Sequence, residues 1–593
     1  MKSRIQTCKR NVTGRLWSIK HENRSLKIAF AAPLFVIGCF VPVCRSQQEP
    51  QAVNSSLQQS VHDAQVAAEP RIYEGFKGYS RSITAKSDEA RRWFDQGIQL
   101  LYGYNHDEAI RSFERAAAED PTCAMAWWGS AYARGLHINR PEMSVEQSKL
   151  ARVAADKALA AIDDETPVER ALIQAVSARY EWPVPESRSH LDQAYADAME
   201  SVWHQFPMDP DVGALYAESL MNLQPWDLWT SAGKPKGRVL EILAVLEKVI
   251  TLHQNHPGAN HLFIHAIEAS PWPDLGIPAA ERLQGLVPGS GHLVHMPSHI
   301  FIRVGRYADA SAANERAIAA DEAYFRLAPP PDFYSLYYMH NVHFLAYTAM
   351  MEGRFETARK AARRIQEEIP PAFLREHVKI ADAFPPTILH VFIRFGKWSE
   401  ILLEPQPDDW RLVSRLQTHY ARCLALANLG RIAEAQAERE LMDRVSEKLD
   451  ESWLVGNNRA TSVYAIARCM AEGEIAFHAG EHEQAYQHLR AGVFLEDQLA
   501  YDEPPGWVQP VRHALGALLL AGGHADEAEE VYREDLVRHP NNAWSLLGLQ
   551  QSLEAQGRIE DSRAMTAKVQ AAWSRADTSP VASCYCHPNA KSE

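Results

Sequence analysis

His261 and His265 stand four residues apart, and His295 and His299 repeat the pair 34 residues later. His292 precedes the second pair, His340 and His343 follow it, and His390 lies further on. Residues i and i+4 of a helix share a face, so each pair can turn two imidazoles toward one point. Neutral imidazole is the commonest metal ligand among side chains. Two on one helical turn can share an ion with ligands from a neighbouring helix. Glu268 is the nearest carboxylate and no cysteine lies close by, a donor set that suits Zn, Cu, Ni or Fe better than Ca or Mg.

Imidazoles so spaced need rigid helices to aim them. Past Ser87, apolar residues recur at spacings of three and four, broken by Gly followed by a polar residue, the pattern of amphipathic helices. Trp93, Gly97, Ala109, Phe113, Ala116 and Pro121 occupy positions 4, 8, 20, 24, 27 and 32 of a 34-residue unit, which resembles the tetratricopeptide repeat. Small residues at 8 and 20 let two antiparallel helices approach, bulky ones at 4 and 24 fill the gap, and the proline stops the second helix. The turn glycine of that unit recurs at Gly305, Gly353, Gly396, Gly430, Gly480, Gly523 and Gly557. The resemblance implies an all-α, right-handed superhelix of about a dozen helix pairs. It would run through N-terminal repeats 88–255, central His-lined repeats 256–404 and C-terminal repeats 405–574. Pro329-Pro330-Pro331 and the stretch from Trp226 to Gly237 interrupt the spacing, and such insertions fold over one face of a solenoid.

In tetratricopeptide proteins, positions 2, 5 and 9 of the first helix line the concave groove where ligands bind. With Gly305 at position 15, His292, His295 and His299 take those three places. With Gly353, His340 and His343 take 2 and 5 and Tyr347 takes 9; with Gly396, His390 takes 9. One repeat earlier, His261 and His265 take 5 and 9. Eight of these twelve slots are histidine, where 25 in 593 residues would place about 0.5 by chance. Glu268, Arg303, Asn341, Tyr347, His390 and Arg394 complete the expected groove lining.

The functional expectation is a binding protein whose groove takes a transition metal or metal-bearing ligand through His261, His265, His292, His295, His299, His340 and His343. A metal-independent groove for a protein or peptide partner is the alternative. A metalloenzyme built in the same groove, with Glu268, Tyr347 or Arg303 beside the ion, is the third. No H-E-x-x-H, Gly-rich phosphate loop or G-x-S-x-G elbow occurs, so no catalytic residue is assigned. Trp226 and its neighbours read as a helix end with packing tryptophans rather than a lid. The Tyr501–Trp507 turn reads mainly as shaping the superhelix, with a lesser role for Glu503 and Arg512 in the groove. Cys584-Tyr585-Cys586-His587 could take a soft ion such as Cu(I), in a flexible tail of residues 575–593.

With 46% hydrophobic and 23% charged residues over 593 positions, the chain is neither disordered throughout nor a polytopic membrane protein. A net charge of -14 offers no footprint for phosphate backbones, which excludes nucleic acid as an expected partner. Residues 1–44 place eight basic residues before an apolar run from Ile28 to Val43, the pattern of a signal peptide or membrane anchor. Val36-Ile37-Gly38-Cys39 resembles a bacterial lipobox, which would make this a lipoprotein lipidated at Cys39; the apolar residues after it fit an uncleaved anchor. Residues 45–87 read as a disordered tether. The body would then lie outside the cytoplasm, in the periplasm or on the outer surface, touching membrane only through the anchor. The lipobox reading predicts that radiolabelled palmitate is incorporated by the wild-type chain and not by Cys39→Ala; equal labelling would remove it.

Overall fold

The computed structural model describes residues 70–328 and 333–588. The lipobox, the anchor segment and most of the expected tether lie outside them. The fold is all-α, a tetratricopeptide-like solenoid of antiparallel helical hairpins whose only paired strands, among the described residues, are the short ribbon Leu454–Val455 with Asn458–Arg459. No helix of the described residues is long and apolar enough to cross a membrane.

The helices used below are α1 (Asp88–Tyr102), α2 (His106–Glu119), α3 (Pro257–Ile267), α4 (Gly291–His295), α5 (Pro297–Arg303), α6 (Tyr307–Phe325), α7 (Ser335–Met351), α8 (Phe355–Glu368) and α9 (Thr387–Arg394). Hairpin α1–α2 shows why the repeat pattern works. Ser87 caps the Ala90 amide, and Asp88 and Glu89 face the positive end of the α1 dipole. Trp93, Ala109 and Phe113 are buried between the helices. A Cβ at Gly97 would lie 2.7 Å from the Phe113 ring, and one at Gly129 2.4 Å from it. Glycine there is the room that the phenylalanine needs.

All seven turn glycines identified in the sequence have positive φ, between 64° and 87°, where side chains with a Cβ are strained. Each closes the first helix of its hairpin in the same way. The Gly305 amide donates to Ile302 O at 3.2 Å and the Arg306 amide to Phe301 O at 2.7 Å, the paired bonds of a Schellman C-cap. Arg354, Lys397, Arg431, Glu481, His524 and Arg558 repeat the second bond.

Two expected loose segments are ordered instead. Of the tether, residues 70–87 pack on the body: Tyr73, Phe76 and Ile83 are buried, and Arg81 bonds Asp209 and Asp211. Of the tail, residues 575–588 fold back on the central repeats. The Asp577 carboxylate caps α8 through the Phe355 and Glu356 amides at 2.6 and 3.0 Å. Ser583 bonds Tyr532 and the His513 carbonyl, and Tyr585 lies against Gly396. Cys584 and Cys586 are joined as a disulfide, so they are not a free thiolate pair for a soft ion. Apolar side chains within each segment, Phe76 against Gly289 in one and Tyr585 against Gly396 in the other, find a turn to cover, which composition alone did not reveal.

The Phe113 wedge predicts that Gly129→Ala destabilises the chain by about 1–3 kcal/mol, the usual cost of overpacking. Thermal unfolding checks it, with Phe113→Leu in the same chain restoring part of the loss.

Candidate metal centre

The expected helix carrying His292, His295 and His299 is broken at Pro297, which has no amide hydrogen to donate, into α4 and α5. Ser290 caps α4 through the Leu293 amide, and the three imidazoles still converge. With α3 and α7 beside them they form two clusters, His261/His265/His292 and His295/His299/His340. Within each, one ligand atom per residue lies within 4.8 Å of the others. The clusters adjoin, with the His265 and His299 rings 5.6 Å apart and those of His292 and His295 6.0 Å apart.

Hydrogen bonds on the outer nitrogens fix most of the tautomers. A carbonyl can only accept, so His261 donates from Nδ1 to Tyr102 O at 2.8 Å. His265 Nδ1 and His299 Nδ1 donate to the two oxygens of Glu268, at 3.1 and 2.7 Å. The Asn314 amide donates to Ala310 O, which turns its oxygen to His295 Nδ1 at 2.6 Å. Those four rings therefore present their Nε2 inward. His261 Nε2 meets His292 Nε2 at 3.2 Å, and His295 Nε2 meets His299 Nε2 at 2.8 Å. Two nitrogens bound at about 2.0–2.1 Å to one tetrahedral ion stand about 3.3 Å apart. His265 Nε2 and His292 Nδ1 are buried without a hydrogen-bond partner.

Electrostatics follow from burial. Desolvation, then neighbouring imidazoles, hold His292, His295 and His340 well below the usual histidine range; His261 is also held well below it and His265 is lowered, both by desolvation first. His299 differs: burial pushes it down, but Glu503 and Glu268 outweigh that and raise it to about 10. Glu503 Oε2 lies 2.6 Å from the same Nδ1 whose hydrogen points to Glu268. Burial first, and the nearby Glu268 charge, push Glu503 up to about 8.

The centre forms one end of a cavity of about 760 Å³. His265, His292, His299 and His340 reach its wall, with His343 and His390 further along it. His343 packs edge-on to Phe384, and His390 lies 3.5 Å from the Gln417 amide; neither joins a cluster. Burial lowers these two to about 4 and about 3. Four expected groove residues sit elsewhere. Arg303 donates to Ser270 O and lies over Tyr501, and Asn341 is buried against Asp321. Tyr347 is buried beside Phe344, and Arg394 bonds His513 and the Ser583 carbonyl. The register assumed an open groove, whereas the C-terminal repeats and tail cover this end of it.

Segments on both sides of the central repeats supply residues that the register passed over. Trp226, expected to be packing, stands edge-on to His265 at 5.3 Å and donates to Asn139. Glu503 reaches His299 from the Tyr501–Trp507 turn, while Arg512 pairs with Asp497. Tyr104 stacks near His292 and stands edge-on to His261 at 4.7 Å. Tyr104 and Trp226 have φ of 55° and 61°, a left-handed conformation that costs of order 1–3 kcal/mol at a non-glycine residue and clusters at functional sites. Only the glycine- and asparagine-rich turns around them, Gly103-Tyr104-Asn105 and Asn222 to Trp226, hinted at this.

The sign of the pH effect is set by His299 and Glu503 together. Both bind protons more tightly folded than unfolded, so the metal-free chain loses stability as pH rises. Glu503 contributes above about pH 4.5, and His299 from about 6.5 toward 10. The unfolding temperature of metal-stripped protein should fall between pH 6.5 and 9, and fall less in Glu503→Gln.

No family model and no curated protein matches the chain. Among solved structures it is similar to the human IFIT1 dimer with PPP-AAAA, at 13% identity over 86% of this chain and 99% of that one, with a TM-score of 0.30. It is similar to yeast Tom70 at 11% identity over 87% and 96%, TM-score 0.27. The APC/C hetero-tetramer Cut9-Hcn1 gives 13% identity over 84% and 82%, TM-score 0.27.

Proposed function

We propose that this helical-repeat scaffold is a metalloprotein whose six converging imidazoles hold two transition-metal ions, one in each three-histidine cluster. The observation that carries this reading is the His295–His299 contact. Both rings have Nδ1 committed to an acceptor, and their Nε2 atoms face each other at 2.8 Å. Two lone pairs at that distance repel unless a cation lies between them. A proton on His299 would serve that pair alone; it gives no reason for His261, His265, His292 and His340 to converge on the same place. Four of the six rings, His261, His265, His295 and His299, have the outer nitrogen bonded to a carboxylate, amide oxygen or backbone carbonyl, the support that metal-bound histidines require.

Neutral imidazoles without thiolates suit Zn, Cu, Ni or Fe. Three protein ligands leave a fourth position open on a tetrahedral ion, the arrangement of catalytic rather than structural sites. That position would face the cavity, which favours the metalloenzyme over the peptide scaffold as the second reading. Export through the basic and apolar start of the chain would place the centre outside the cytoplasm.

Plasma mass spectrometry on the full chain, purified without a His tag, tests the proposal. Two ions per chain are expected in wild type, and one in each of His261→Ala/His265→Ala and His295→Ala/His299→Ala. Glu268→Gln, which disturbs the partner of two ligands, should weaken binding about 10–100-fold in a chelator competition. Absence of metal from wild type after Zn, Cu, Ni and Fe are each offered, with helical circular dichroism intact, overturns it.

A further inference from the structure

The cavity beside the histidine centre has two unlike ends. One carries the histidine centre and Glu503: His265, His292, His299 and His340 reach it, with His265 Nε2, His292 Nδ1 and Glu503 Oε1 buried and lacking a hydrogen-bond partner. Away from them the wall is mainly apolar, made by residues such as Phe384, Leu416, Val463, Ala467, Pro505 and Ile380. Residues of segments 139–142, 333–337, 454–457 and 502–506 also line it. Its volume of about 760 Å³ lies within the range of small-molecule pockets, about 300–1,000 Å³.

From this division the geometry points to a small organic ligand with a single electron-donating head and an apolar body. The head meets the histidine centre and the body lies along the Phe384–Leu416–Val463 wall. A peptide is the wrong shape chemically, because each of its residues brings a backbone donor and acceptor that an apolar wall leaves unpaired, at about 1–3 kcal/mol each. The inference deepens the metal reading and rests on it for the head group; the apolar body rests on the wall alone.

The probes that separate these two parts are 1-methyl-, 1-butyl- and 1-hexylimidazole, titrated calorimetrically into the full chain, metal-free and zinc-loaded. Affinity should rise about fourfold for each methylene buried in both forms, and the zinc-loaded form should bind each probe at least tenfold more tightly. Ala383→Trp and Val463→Trp, two half-buried positions on the wall, fill the cavity without crowding the centre. Each should cut the gain to less than twofold per methylene while zinc content is kept. A gain with chain length but no zinc effect supports the apolar ligand and removes the metal-bound head. No gain with chain length, or a gain that both Trp variants leave intact, overturns the inference.

Discussion

Glu268 is 1% exposed, and a carboxylate out of water is tolerated only when its oxygens are paired. Here each oxygen receives one imidazole N–H, from His265 on α3 and from His299 on α5. Glu268 follows the last turn of α3, so one side chain fixes both the tautomer and the aim of a ring in each cluster. Its charge also helps hold His299 in the protonated range when no other cation is present. Remove that charge and two histidines lose their orientation together. Glu503 approaches the same nitrogen as a second carboxyl group, and burial with the Glu268 charge makes it the one that keeps a proton. The centre is thus balanced between two acids in different roles around one ring.

Around that balance the protein accepts local strain. Tyr104 and Trp226 are bulky residues in left-handed backbone, and each brings its ring against a cluster histidine. The turn that strains Tyr104 also brings in the Tyr102 carbonyl that orients His261. In a solenoid the turns between helices are where such distortions are accommodated most cheaply, because the helices on either side stay regular. The packing of Phe113 between Gly97 and Gly129 anchors α2 just beyond that turn.

What could be read from the sequence was what depends on local spacing. The seven Gly turns and the α1–α2 packing follow from residues within one repeat, and the structure shows them. The alignment of His261, His265, His292, His295, His299 and His340 depends on neighbouring repeats in register, and these six do come together. The limits appear where distant segments meet. Asn314 sits on the second helix of its hairpin, outside the positions that usually line a groove, yet it orients His295. Glu503 reaches His299 from a turn far along the chain. Tyr347 and Arg394 occupy first helices much as His340 does, but they end in the interior because later parts of the chain cover them, while Asn341 turns to Asp321 on α6. A repeat register states which way a side chain leaves its helix and is silent about what the superhelix later folds against it.

Three of the turn glycines carry a further meaning. Pro540 lies on Gly305, Trp573 on Gly353 and Tyr585 on Gly396, whereas Gly430, Gly480, Gly523 and Gly557 face open space. Most repeat arrays are close to one-dimensional, each unit stabilised by its nearest neighbours, so folding can begin anywhere and spread. Contacts of Pro540, Trp573 and Tyr585 with the central repeats break that rule. They raise the mean sequence separation of native contacts, and chains with more such contacts fold more slowly. The central repeats leave the ribosome well before the residues that cover their turns. Their final packing waits for residues 540–585 to be made, which ties the central repeats to a later part of the array rather than to their neighbours alone.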